Sequence, residues 1–225
     1  IDNALLMGPS RSGKTFECLQ LEQTLRGNGQ YTAFNKPLVV EGRGKFKRAK
    51  CDTTHGIAFR EVGRAYAHRL DGPRVKSHAV AHMLGIEDYL VELPEAVQPA
   101  GDDGKPATRR LKASWLAGQV IAAVRKFCMS ADREPSVHHL KRIDGIDAAG
   151  ERTNSDRVRG HLLGPLKAAW ADLTDSEGKL PFAHDVYVKT WQLGEGADRP
   201  VIAADYILLD EYQDTAPVFL DVLMR

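Results

Sequence analysis

Apolar and polar positions follow two different rhythms along this chain. Ala4-Leu5-Leu6-Met7 is a short unbroken apolar run, which predicts a buried strand over 3–7. The helix-like FECLQLEQTL follows, so a helix is expected over 15–26, stopped by Gly27-Asn28-Gly29. Tyr31–Phe34 reads as the next strand. Asn35-Lys36-Pro37 can open a helix with proline in its first turn, weakened further along by Gly42 and Gly44. Lys50–Thr53 reads as a third strand, and a helix from Thr54 to Leu70 follows, capped by Thr53 or Thr54. Near the C-terminus, Tyr206–Asp210 is another buried strand and Ala216–Met224 another helix. Strand and helix alternate at both ends, which argues for a parallel sheet covered by helices. The middle differs. Residues 67–185 have little strand character, with helical stretches at 76–92, 111–130 and 157–173. Turn-rich loops at 98–108, 144–156 and 174–181 separate them. This predicts a helical insertion, with a short helix His184–Leu193 leading back to the α/β part.

Composition narrows the classes. With 225 residues and 43% of them apolar, the chain can bury a substantial core. The 31 Lys and Arg nearly cancel the 30 Asp and Glu, so no global basic field advertises nucleic acid. The charge is uneven, however. Residues 1–66 carry 11 basic and 6 acidic side chains, whereas residues 186–225 carry 3 and 7. A polyanion is therefore expected to meet the N-terminal third first. Cys18, Cys51 and Cys128 are widely spaced and odd in number, which fits a reducing compartment. The longest apolar run, 115–124, is too short to span a bilayer. The first residue sits in a strand-like segment and the last in a helix-like one, the expectation for a piece of a longer chain.

The sharpest chemistry lies at 8–15, Gly8-Pro9-Ser10-Arg11-Ser12-Gly13-Lys14-Thr15, a Walker A pattern. Its glycines let backbone N–H groups converge on phosphate oxygens, and the helix that follows adds its N-terminal partial charge. In this chemistry Lys14 reaches the β- and γ-phosphates and the Thr15 hydroxyl ligates Mg²⁺. A second segment, ILLDEYQDT at 207–215, delivers Asp210 and Glu211 to the C-terminal edge of a sheet, where ligands bind in open parallel sheets. Asp210 is expected in the Mg²⁺ shell with Thr15, and Glu211 as the base that takes a proton from the attacking water. Asp214 or Thr215 can cap the next helix.

The Asp-Glu-x-Gln-Asp-Thr form resembles motif II of the superfamily 1 helicases of the UvrD/Rep type. YTAFNK at 31–36 is similar to that family's motif Ia, and TTHGIAFR at 53–60 to the Thr-x-His segment after it. FCMSADREPSVHHL at 127–140 and LPFAHDVYVKTWQL at 180–193 look like stretches of the F-box DNA helicase branch, although no F-box is read in these residues. The resemblance implies a RecA-like nucleotide-binding core made of 1–66 and 184–225, with 67–183 as a 1B-type insertion near the duplex junction. It implies ATP and Mg²⁺ as cofactors. It also implies 3′→5′ movement on single-stranded DNA, in the nucleoid of a bacterium or the nucleus of a eukaryote. Phe34 would stack on a base, and Asn35, Lys36, Thr54 and His55 would contact the strand. Gln213 would sense γ-phosphate loss and pass it to the loops at the sheet edge. In the family a second RecA-like core supplies arginines to the transferring phosphoryl group. The 225 residues alone are therefore expected to bind nucleotide weakly and turn over little.

Two other readings stay open on the residues themselves: a P-loop switch or small-molecule kinase without DNA, and a non-hydrolysing module that binds DNA through 31–60. The basic run Arg43–Lys50, with five basic residues in eight, follows the segment assigned to DNA and so is a candidate for phosphate contact or a solvated face. His138, His139, His161 and His184 show no metal-ligand spacing and are read as surface or structural residues. Trp115, Trp170 and Trp191 are read as core anchors.

Overall fold

The computed structural model describes residues 13–33, 35–70, 72–195, 199–210 and 212–224, without the side chain of Lys14. In chain order the elements are helix α1 (Lys14–Thr24), strand β1 (Gly29–Ala33), α2 (Lys36–Lys45), β2 (Ala49–Thr53), α3 (Thr54–Glu61), α4 (Ala67–Leu70), α5 (Ser77–Met83), β3 (Tyr89–Glu92) and β4 (Thr108–Leu111). They continue with α6 (Ala113–Met129), α7 (Thr153–Thr174), α8 (His184–Leu193), β5 (Tyr206–Leu209) and α9 (Pro217–Leu223). The chain divides into two compact units, 1–64 with 187–225, and 65–186. The strand expected over 3–7 lies outside the described residues.

The first unit is mixed α/β, a small parallel sheet flanked by helices. The strand order is β2-β1-β5, with β1 parallel to both neighbours. All five residues of β1 are buried, as a central strand covered on both faces requires. Tyr31 stacks on Phe46 at 4.4 Å, within a core that includes Cys18, Val39, Cys51 and Leu208. The turn before β1 is locked. Gly27 has φ of 87°, a left-handed conformation suited to glycine, and the Asn28 N–H donates to Asp205 Oδ2 at 2.7 Å. Glu22 is buried and accepts the backbone N–H groups of Lys47, Arg48 and Ala49, which fixes the entry into β2. Burial pushes its carboxyl up, but these N–H bonds outweigh that and hold it below the usual range. The caps follow sequence logic. Asn35 accepts the Leu38 N–H at 3.0 Å and Thr53 accepts the Gly56 N–H at 3.0 Å.

The second unit packs α5, α6 and α7 around Leu116, Val120, Val124, Val158, Leu162 and Leu166, which recur at helical spacing. Three expectations are corrected here. The stretch 76–92 is not one helix: α5 stops at Met83, Gly85 turns with φ of 62°, and Tyr89–Glu92 pairs antiparallel with Thr108–Leu111. The loop read at 98–108 lies in the connection of that hairpin except for Thr108, which opens β4, and the Gly101 N–H bonds Lys105 O at 3.0 Å within it. The helix expected over 54–70 breaks at Val62 into α3, a 3₁₀ turn over Gly63–Tyr66, and α4. Trp115 is 42% exposed rather than a core anchor, whereas Trp191 is buried and Trp170 packs against the core. Among the described residues no helix is long and apolar enough to cross a membrane.

Candidate functional site

Because β1, β2 and β5 are parallel, their C-terminal ends share one rim of the sheet, with Ala33 opposite Thr53 and Thr32 opposite Leu209. Asp210 follows β5 directly, and its N–H donates to Thr32 O at 2.9 Å, so the ladder carries it one residue past the strand. Asp210 is 4% exposed. Thr15, half-buried in the first turn of α1, donates its hydroxyl to Asp210 Oδ2 at 2.9 Å. The Tyr31 hydroxyl donates to the same oxygen at 2.7 Å. Burial first, then the hydrogen bond and charge of Asp210, push the Tyr31 phenol above its usual value, so it stays a donor. Burial, aided by the Asp210 charge, likewise pushes the Cys18 thiol up to about 11. Gly13 opens α1 with φ of 91°, where any side chain would be strained.

A threonine hydroxyl and an aspartate separated by 195 residues are thus joined at the start of a helix and the end of a strand. Both offer hard oxygen atoms, the donor type that Mg²⁺ takes, and the Tyr31 hydroxyl fixes the carboxylate between them. Gly8, Pro9, Ser10, Arg11, Ser12, Phe34 and Glu211 lie outside the described residues, as does the Lys14 side chain.

The remaining nominated residues start from the same rim. Asn35 and Lys36 follow β1, and Thr54 and His55 follow β2. The Asn35 side chain is engaged as the cap of α2, and Thr53 rather than Thr54 caps α3. His55 is exposed and meets the Tyr187 ring edge-on at 6.3 Å. Gln213 is exposed in a 3₁₀ turn over Tyr212–Asp214. Neither Asp214 nor Thr215 caps α9, which begins after Ala216 with Pro217 in its first turn. The basic run falls elsewhere. It joins the end of α2 to the start of β2, where Arg48 O accepts the Gly29 N–H, and so lies at the opposite rim of the sheet. Within it Arg43 donates to Cys51 O, Lys45 pairs with Glu41, and the Arg48 guanidinium binds Glu22 O.

Tyr31 was the residue that sequence reasoning passed over. A tyrosine inside a strand with every position buried needs a partner for its hydroxyl, but that burial shows only once β1 is seen between β2 and β5.

The class these features define is an α/β protein with a hydroxyl–carboxylate pair at the C-terminal rim of a parallel sheet. Among curated proteins the chain is similar to F-box DNA helicase protein 1 of Schizosaccharomyces pombe, 28% identical over 199 residues, which is 87% of this chain and 21% of that protein. It is similar also to F-box DNA helicase 1 of Gallus gallus, 24% identical over 204 residues, 86% of this chain and 18% of that protein. The chain therefore spans about a fifth of the length of the curated relatives it matches. This weak similarity, extending over most of the chain, supports a relationship to the helicases. No protein-family model and no solved structure matches it.

Proposed function

We propose that this chain is the ATP-binding part of a DNA helicase or translocase that hydrolyses ATP to move along single-stranded DNA. The observation that carries the reading is the 2.9 Å hydrogen bond from Thr15, the last residue of the Walker A pattern, to Asp210, the aspartate of the second motif. In this reading residues 8–15 cradle the triphosphate, and Lys14 holds its terminal phosphates. Thr15 and Asp210 hold Mg²⁺, which neutralises charge on the phosphate oxygens. Tyr31 keeps the Asp210 carboxylate turned toward Thr15. Glu211, next in sequence, takes the proton of the attacking water. Asn35, Lys36, Thr54 and His55 form the strand contact along the same rim, Phe34 stacks on a base, and Gln213 links the two functions. The fold in this proposal is the first RecA-like core, interrupted by a 1B-type unit and completed by a second core in the same protein. The 3′→5′ polarity follows the family resemblance.

The test uses the full-length protein that contains this chain. Single-stranded DNA is expected to stimulate its ATPase; Lys14→Ala should abolish turnover, and Glu211→Gln should keep ATP binding while stopping hydrolysis. Turnover indifferent to DNA points instead to a switch or kinase. Turnover that survives Glu211→Gln removes Glu211 as the base.

A further inference from the structure

The second unit holds a cluster that the ATP site does not use. Asp132 stands three residues beyond the end of α6, and His138 and His139 sit in a 3₁₀ turn over Val137–His139. His138 Nε2 lies 2.8 Å from Asp132 Oδ2, and His139 Nε2 lies 2.9 Å from the same oxygen. The two rings are 4.0 Å apart and inclined by 36°. The three donor atoms all fall within 4.8 Å of one another.

A second layer supports the first. Histidines that bind a metal through Nε2 give their Nδ1–H to a nearby oxygen, which sets tautomer and ring orientation. Ser136 offers that oxygen to both rings. Its Oγ lies 2.5 Å from His138 Nδ1, and its carbonyl oxygen lies 3.2 Å from His139 Nδ1. The Ser136 N–H is also 3.0 Å from His139 Nδ1, so the backbone accommodates either tautomer of His139. For a neutral ring, the change only moves one proton from Nε2 to Nδ1. The turn is itself braced from two helices. Lys126 of α6 donates to His138 O at 2.6 Å, and Arg159 of α7 donates to Val137 O at 2.6 Å and Leu140 O at 3.2 Å.

We infer that Asp132, His138 and His139 form a binding site for a divalent cation of the zinc type. Two imidazole nitrogens and one carboxylate oxygen suit Zn²⁺, whose tetrahedral site with bonds of about 2.1 Å sets donors roughly 3.4 Å apart. The two imidazole–carboxylate separations, 2.8 and 2.9 Å, reach that spacing by opening about half an ångström, and all three donor atoms already lie within 4.8 Å of one another. His139 is 1% exposed and fixes one ligand in the core, whereas His138 at 60% and Asp132 at 44% leave a path for the ion and room for water as the fourth ligand. The cation fastens the end of α6 to the segment that leads toward α7. It is a structural clasp of the second unit, separate from the Mg²⁺ chemistry.

The test is calorimetric titration of the chelator-stripped chain with Zn²⁺ alone, alongside Co²⁺ as a spectroscopic probe. One equivalent of Zn²⁺ should bind with micromolar affinity and raise the melting temperature. Co²⁺ should give visible d–d bands without thiolate charge transfer. His138→Ala changes an exposed residue, and Asp132→Asn retains the side-chain size. Each should keep the metal-free melting temperature within a few degrees and weaken Zn²⁺ binding at least about tenfold. Binding that is absent, that is unchanged in both variants, or that carries thiolate bands overturns the assignment.

Discussion

Tyr31 joins packing to chemistry. Its ring is fully buried against Phe46, and its hydroxyl holds the carboxylate that Thr15 also binds. Tyr31→Phe keeps the ring and removes only the donor. It should cost about 1–2 kcal/mol of stability by urea unfolding. It should also weaken Mg²⁺-dependent nucleotide binding several-fold in calorimetry, because Asp210 loses one of its orienting contacts. Unchanged nucleotide binding would mean that Tyr31 serves the core alone. The meeting of Thr15 with Asp210 was foreshadowed in the sequence because each belongs to a motif written in consecutive residues. Tyr31 and Glu22 were not. Their partners stand 179 residues away for Tyr31 and 25 to 27 for Glu22, and nothing local marks a buried hydroxyl or carboxylate as pinned. Asp132 was missed for a related reason. It meets two histidines only because a 3₁₀ turn folds them back.

At the scale of elements, strand and helix alternation at the two ends of the chain corresponds to β1, β2, β5 and their flanking helices: Gly29 opens β1, Asn35 and Thr53 cap the helices after β1 and β2, and β5 is an apolar run. The hairpin β3–β4 escaped because each strand is short and buries a single residue, Val91 in β3 and Leu111 in β4, which leaves no period-two pattern to read. Arg69 was equally hidden. It sits in α4, one residue before its end, yet its guanidinium donates to Asp172 O at 3.1 Å, Leu173 O at 3.2 Å and Leu180 O at 3.1 Å, and reaches Asp175 O as well. It therefore serves as a remote C-cap for α7, where the last carbonyls lack helical partners and the dipole favours a cation. Arg69→Leu should cost about 3 kcal/mol in chemical denaturation, because several buried carbonyls lose their donor together. Arg69→Lys should recover only part of that, since an ammonium cannot reproduce the fork. A loss below about 0.5 kcal/mol in Arg69→Leu would show that water replaces the guanidinium.

At the scale of the whole molecule, the charge asymmetry along the chain does not survive folding. The basic N-terminal third and the acidic C-terminal segment belong to the same unit, which counts 14 basic and 13 acidic residues; the other unit counts 17 of each. Each unit is therefore close to neutral, and in the proposed reading the grip on single-stranded DNA rests on the few groups nominated at the C-terminal rim. Of the nominated contacts only Lys36 carries a fixed positive charge, and the basic run Arg43–Lys50 lies toward the other rim. Single-stranded DNA binding by this chain should therefore depend weakly on salt, with log K falling against log salt at a slope of about −0.7 to −1.4, the release of one or two counterions. Lys36→Ala should reduce that slope by about 0.7, whereas Lys47→Ala, at the opposite rim, should leave it unchanged in fluorescence anisotropy with a labelled oligonucleotide. A steep slope that Lys47→Ala reduces and Lys36→Ala does not would move the DNA path to the N-terminal rim. The strand would then lie across the sheet from the Thr15–Asp210 pair, and coupling through the loop that carries Gln213 would lose its geometric basis.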